Sequence, residues 1–274
     1  MLASYLLSLR EGLEIALIIG ILLGALRQMR HTEFIPTLWL GTLSATALSF
    51  LTAVVLTRFG LELKDPGEAI FEGITMIVAA SLLTWMIFWM NRQARFMKSN
   101  LEADVQRASQ TGKRAIFFVA FVSVLREGIE LALFLTASVF ATNAQQTVLG
   151  AFLGFGTAIL LGWSIFAAMV RLDLRRFFQV TGVLLILFAG GLVAHGIHEF
   201  NEVGWIPAVI EHVWDVNSVV SANSIFGQLL KALFGYNPTP SLTELLAYAA
   251  YFAAIALGLR LSAAKSKKAP QPQT

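Results

Sequence analysis

A nine-residue charged motif occurs twice in this chain, each time inside a long apolar run. Leu9-Arg10-Glu11-Gly12-Leu13-Glu14-Ile15-Ala16-Leu17 returns as Leu125-Arg126-Glu127-Gly128-Ile129-Glu130-Leu131-Ala132-Leu133. Seven of the nine positions are identical, and the other two exchange Leu and Ile. An Arg and two Glu within hydrocarbon are costly, so ionisable residues in such runs mark a functional site by default. Repetition at a fixed offset adds an architectural message, because transporters are commonly built from two repeats with the substrate at their interface.

The runs around the motif are part of a membrane protein. Hydrophobic residues make up 57% of the chain and charged residues 14%, the latter against roughly 25% in soluble domains; mean hydropathy is +0.70. Seven apolar segments stand out, at about Leu2–Leu26, Pro36–Thr57, Ala69–Met90, Ala115–Phe140, Thr147–Val170, Phe177–Ala194 and Leu242–Leu259. Each approaches the roughly 20 residues needed to cross about 30 Å of hydrocarbon. The first is read as a helix of the mature protein rather than a signal peptide. No basic region precedes it, and its apolar character resumes after Glu14 and runs well past signal length. Cysteine is absent, which excludes disulfides, thiolate metal ligands and cysteine nucleophiles. The sequence pI is 9.3, but the basic residues fall in the connections between apolar segments, as a membrane protein's do. No nucleic-acid partner is expected.

The same basic residues set the orientation. Fifteen Lys and Arg, from Arg27 to Lys268, follow segments one, three, five and seven, whereas only Arg58, Lys64 and Lys231 lie opposite. Excess positive charge marks the cytoplasmic side, so the N-terminus is expected outside and the C-terminus in the cytoplasm. Three crossings separate the two motif copies, so their helices run in opposite directions. The expected architecture is therefore all-α: seven transmembrane helices, with segments one to three (about 1–90) and four to six (about 114–200) forming an inverted 3+3 repeat, plus a seventh helix at about 242–261. A single permease domain spans 1–262, a long outer loop covers about 201–240, and 263–274 forms a disordered cytoplasmic tail. Val213–Phe234 reads as short amphipathic or re-entrant helices, with Trp205 and Trp214 as interfacial anchors. Residues 91–114 read as a basic amphipathic connector.

At about 1.5 Å per residue, Glu11 lies roughly 14 Å from the outer end of its helix and Glu127 roughly 20 Å from the inner end of its own. Both reach the middle of the bilayer. Within each motif the two glutamates are three residues apart and Arg is four from the second Glu, so all three are neighbours on one helical face. Gly12 and Gly128 remove bulk beside the carboxylates, letting a backbone or an ion come close. Because Arg stays charged, each motif carries two potential negative charges and one fixed positive one. Two motifs facing each other offer an oxygen-rich, sulfur-free site suited to hard cations. Glu11, Glu14, Glu127 and Glu130 are the expected metal ligands, and Arg10 and Arg126 tune them. The plainer alternative is a pair of Arg–Glu bridges that only join helices, but it leaves two surplus carboxylates unexplained.

Further polar residues collect near the expected outer face. Glu68 and Glu72 share a face at the start of segment three, and His195, His198 and Glu199 lie at the end of segment six. Glu68, Glu72, His198 and Glu199 form a candidate cation entrance. Gly20/Gly24 and Gly150/Gly154 have the small-xxx-small spacing of close helix packing, and Trp85 and Trp89 read as lipid- or neighbour-facing bulk.

With Arg-Glu-Gly-x-Glu in segments one and four, and Phe71-Glu72-Gly73 between them, the chain resembles the bacterial iron permeases of the oxidase-dependent iron transporter family, related to the fungal high-affinity iron permease. The resemblance covers nearly the whole chain. It implies that the motif glutamates handle iron, that iron is the transported substrate with no cofactor, and that an extracytoplasmic protein binds or oxidises the iron. It also implies residence in the bacterial plasma membrane. Fe³⁺ is favoured because the midplane ligands are hard oxygens; Fe²⁺ stays open, since carboxylate and His accept it too. The chain is expected not to be an enzyme. Competing readings are a permease for another cation, a non-transporting membrane subunit, and an intramembrane metal-dependent hydrolase. The last is invited by His195-x-x-His198-Glu199, whose order is not that of a zinc-protease helix.

Overall fold

Helix boundaries follow local chemistry. The computed structural model describes residues 1–93, 97–167, 173–217, 220, 224, 227, 230, 231 and 234–267, and all regular structure among them is helical. Helix α1 spans Leu2–Gln28, and a 3₁₀ turn at Thr32–Phe34 leads into α2, Ile35–Glu62. Pro36 stands in the first turn of α2, where its missing N–H has no partner to lose. Helix α3 covers Gly67–Gln93 and α4 Met97–Thr111; α5 follows at Lys113–Ala141. The α4–α5 break is Gly112, at φ 113°, a conformation that glycine adopts without steric cost. Helix α6 is Ala144–Ala167, α7 Leu174–Glu202 and α8 Leu242–Lys267. Asp173 caps α7 by accepting from the Arg176 N–H at 3.1 Å.

Among the described residues, five stretches are long and apolar enough to cross a membrane: Thr32–Glu62, Gly67–Trp89, Ala144–Ile165, Arg176–Glu202 and Leu242–Leu261. Helices α1 and α5, 27 and 29 residues long, have the length but are interrupted by the charged motif. Leu43, Phe50, Phe152 and Trp163 are all more than 60% exposed, a pattern that needs hydrocarbon rather than water as the solvent of α2 and α6. The basic connector contains α4, which buries Val105 and Ala108 against Leu22, Leu26 and Ile116 where α1 ends and α5 begins.

Close contacts fix how the long helices run. Gly150 lies against Met1 and Ser4, Gly154 against Tyr5 and Ser8, and Gly162 against Ala16; α6 therefore runs parallel to α1. Gly41 lies against Phe117 and Ala120, Ser49 against Gly128, and Gly60 against Phe140, so α2 runs parallel to α5. Helix α6 returns alongside α5 after a two-residue turn, with the Ser138 and Thr147 hydroxyls 3.4 Å apart. It follows that α1 and α5 are antiparallel. Helices α3 and α7 cross at Gly73 and Gly196, each packed against the other's carbonyl.

Two expectations change. Nothing lies within 4 Å of a Cβ placed on Gly24, so Gly24 faces open space rather than a packing seam, whereas Gly150 and Gly154 both pack closely on α1. The last helix continues to Lys267, into the expected tail, and 268–274 lie outside the described residues. Parts of Val213–Phe234 also lie outside them. The described part of the 203–241 stretch returns to the bundle, with Gly235 packed on Gly191 in the body of α7.

Candidate metal site

The antiparallel arrangement of α1 and α5 brings their charged faces together. Carboxylate oxygens of Glu11, Glu14 and Glu127 lie within 4.8 Å of one another, and their residues are 0%, 3% and 4% exposed. Arg10, 1% exposed, places its Nε 3.2 Å from Glu14 Oε1. Neither oxygen of Glu11 accepts a hydrogen bond from a described residue, and the same is true of Oε2 in Glu127 and Glu130. Buried polar groups are nearly always partnered. Four carboxylates against two adjacent guanidiniums, Arg10 and Arg126, with several buried carboxylate oxygens unpartnered among the described residues, are therefore arranged for something that brings positive charge. Hard oxygen donors at this spacing can surround a metal cation, with Glu14 shared between Arg10 and the ion.

Glu130 stands apart from the three. It faces Arg126, whose Nε is 3.4 Å from Glu130 Oε1 and 3.4 Å from Glu127 Oε1. The two arginines, equivalent in sequence, differ in setting: the Arg126 side chain is 44% exposed. It stacks on Trp89, with Cζ 4.6 Å from the ring centroid. Trp89, read from sequence as bulk, is thus an electrostatic partner of the motif.

The motif glycines serve neighbouring helices rather than an ion. A Cβ on Gly12 would come within 2.7 Å of Ala158 on α6, and one on Gly128 would overlap Ser49 on α2. Both glycines also border an apolar cavity of about 500 Å³ between α1, α2, α5 and α6, lined by Thr42, Leu131, Phe155 and Ala158 among others.

The expected entrance comes together in part. At the Gly73–Gly196 crossing, Glu72 feels the negative charges of Glu199, Glu68 and Glu202. His198 turns away: its Nδ1 is 3.0 Å from Glu244 Oε1 and its Nε2 3.4 Å from Glu202 Oε1. Through Glu244 it ties α7 to α8. Glu244, 4% exposed, further accepts from Asn237 Nδ2 at 3.0 Å and from the Ser241 N–H at 3.2 Å. Sequence reasoning passed over this residue, although Ser241-Leu-Thr-Glu244 is a capping box, with Ser241 Oγ accepting in return from the Glu244 N–H at 3.2 Å.

Comparison with known proteins decides the family. Residues 1–269 match the iron permease FTR1 family. The chain belongs to that family. Among its relatives is the ferrous iron permease EfeU of Shigella sonnei (strain Ss046), 34% identical over 98% of this chain and 100% of that protein. The EfeU of Escherichia coli O6:K15:H31 (strain 536 / UPEC) is 35% identical over 92% of each chain. The EfeU of Yersinia pestis is 31% identical over 92% of this chain and 90% of its own. No solved structure matches. An iron permease spans its membrane several times, in keeping with the apolar helices described above, and iron is its transported substrate.

Proposed function

We propose that this chain imports iron across the bacterial inner membrane through the carboxylate cluster of Glu11, Glu14 and Glu127, with Glu130 as an adjoining ligand released by Arg126. The observation that carries this reading is the burial of three carboxylates, oxygens within 4.8 Å, on two antiparallel helices. Carboxylates held this close in a dry interior repel one another, and a cation relieves that repulsion while replacing its lost hydration with oxygen ligands.

Seven crossings follow if α1 and α5 span as their lengths allow, with the N-terminus outside. Packing supports the inverted repeat. Helix α1 pairs with α6 as α5 pairs with α2, and the contacts correspond: Gly150 meets Met1 and Ser4 where Gly41 meets Phe117 and Ala120, each pair of α1 and α5 positions 116 residues apart. The reciprocal Gly73–Gly196 contact then lies at the pseudo-two-fold axis. On the outer side, Glu68, Glu72, Glu199 and Glu202 form a negative vestibule that gathers cations, supplied by an extracytoplasmic iron-binding or oxidase protein.

The EfeU relatives are named for ferrous iron, which favours Fe²⁺ for this chain over the Fe³⁺ expected from an all-oxygen site. Carboxylates accept both ions. Uptake of radio-iron into proteoliposomes, with Fe²⁺ held under reductant and Fe³⁺ supplied as a soluble chelate, tests the reading. Uptake of Fe²⁺ that Glu11→Gln abolishes is expected; equal uptake by wild type and Glu11→Gln excludes the site.

A further inference from the structure

Arg126 is held differently from every other charge in the cluster. Its Nε contacts to Glu127 and Glu130 are both 3.4 Å, long beside the roughly 2.7–2.9 Å of a tight charge-assisted hydrogen bond. Its side chain is 44% exposed, so packing does not confine it as burial confines Arg10. What faces the guanidinium is Trp89, at 4.6 Å from Cζ to the ring centroid. Trp89 is backed in turn by Trp85, with centroids 6.0 Å apart and planes 23° from parallel. A long, half-exposed side chain with two loose ion pairs holds no fixed geometry unaided; an indole face supplies a third attraction.

We propose that Trp89 is a positioning residue for the transported cation, acting through Arg126; this rests on the carboxylate site proposed above. With the guanidinium seated on Trp89, Arg126 takes one oxygen from each of Glu127 and Glu130. Their Oε2 atoms, which have no partner among the described residues, remain free for the ion. As the ion settles, its charge repels Arg126, and the indole face holds the guanidinium in place while its contacts to the carboxylates loosen. Without the ring, Arg126 either stays clamped on the two glutamates or leaves them unaligned, and both weaken cation binding.

The test measures anaerobic Fe²⁺ binding to the purified full-length protein, together with Fe²⁺ uptake by proteoliposomes. Trp89→Leu keeps apolar bulk and removes the quadrupole. It is expected to weaken binding about three- to tenfold, raise half-saturation by the same factor and leave the maximal rate within about twofold. Trp89→Phe should fall between, and it carries the test if the Leu variant does not accumulate. In an Arg126→Gln background the change at Trp89 should have no further effect, whereas a purely structural role would give the same loss in both backgrounds. Unchanged binding in Trp89→Leu, or equal losses with and without Arg126, overturns the proposal. Glu127→Gln separates the two readings. If it loses binding while Trp89→Leu does not, only the role of Trp89 fails; if it binds like wild type, the carboxylate site fails and this proposal with it.

Discussion

Ser49 on α2 fills the space that a side chain on Gly128 would need, and Ala158 on α6 does the same for Gly12. Each motif helix is thereby pressed against the second helix of the opposite half, and the glutamates next to the glycines are turned toward the other motif. Gly128→Ala should cost about 1–3 kcal/mol through overpacking, seen as a lower unfolding temperature in detergent. Adding Ser49→Gly should recover part of the loss. If Gly128→Ala is as stable as wild type, the glycine is there for another reason.

Loss of charge at the cluster should separate its members. Glu11→Gln, Glu14→Gln and Glu127→Gln keep the side-chain size but remove the charge that compensates a dehydrated cation. Fe²⁺ uptake should fall by more than about tenfold in each, the consequence of losing about 1.4 kcal/mol or more. Glu130→Gln, outside the three-carboxylate group, should be milder. Initial uptake rates normalised to reconstituted protein decide the order.

The arginines should part company too. Arg10 is 1% exposed, so Arg10→Gln strands Glu14 in the interior, a change that typically destabilises by about 3–5 kcal/mol. Arg126→Gln removes a half-exposed charge and should alter iron affinity more than protein yield. Comparing detergent-extracted protein levels with iron affinity for the two variants distinguishes them; equal losses of yield would contradict the asymmetry.

At the α3–α7 crossing, Glu72→Gln should raise half-saturation for iron while the maximal rate is kept, and the difference from wild type should shrink with added salt, because a vestibule gathers ions by long-range attraction. Glu244→Ala should behave otherwise. It removes half of the capping box and the partner of His198, at a cost of about 1–2 kcal/mol, and should increase protease sensitivity of the 203–241 stretch without changing iron affinity. Limited proteolysis beside uptake kinetics separates the two. A Glu72→Gln variant that lowers the maximal rate as severely as Glu11→Gln would move Glu72 into the transport site.

Much of this was legible in the chain. The doubled motif pointed to the carboxylate cluster because charge inside an apolar helix is conspicuous in one dimension, and the 3-residue spacing of Glu11 and Glu14 put them on one face. Antiparallel α1 and α5 followed from counting crossings. Other features depend on which helices touch, and spacing along one helix does not carry that. Trp89 and Arg126 are 37 residues apart in sequence, and only the α3–α5 packing brings them together. The same holds for the position of Glu130, outside the group that Glu11, Glu14 and Glu127 form. His198 reads as a ligand because a helix-end histidine beside a glutamate looks like one, while its hydrogen-bond partner Glu244 lies beyond the 203–241 stretch. The Ser241–Glu244 capping box was readable and would have pointed to that partner.

The exchange of helix partners between the two halves bears on how the protein is made. Helix α1 leaves the ribosome first, carrying Arg10, Glu11 and Glu14, yet the helix it lies along is α6 and the helix it faces is α5. Motif two follows 116 residues later, which at about 5–20 residues per second means roughly 6–23 s of synthesis. For that interval the nascent chain must keep a charged helix without its final neighbours at the insertion machinery or in the bilayer. Arg10 and Glu14, four residues apart, neutralise each other within the helix and make the wait tolerable. Glu11, with no such companion, is the group that most needs water or a proton until the second half arrives.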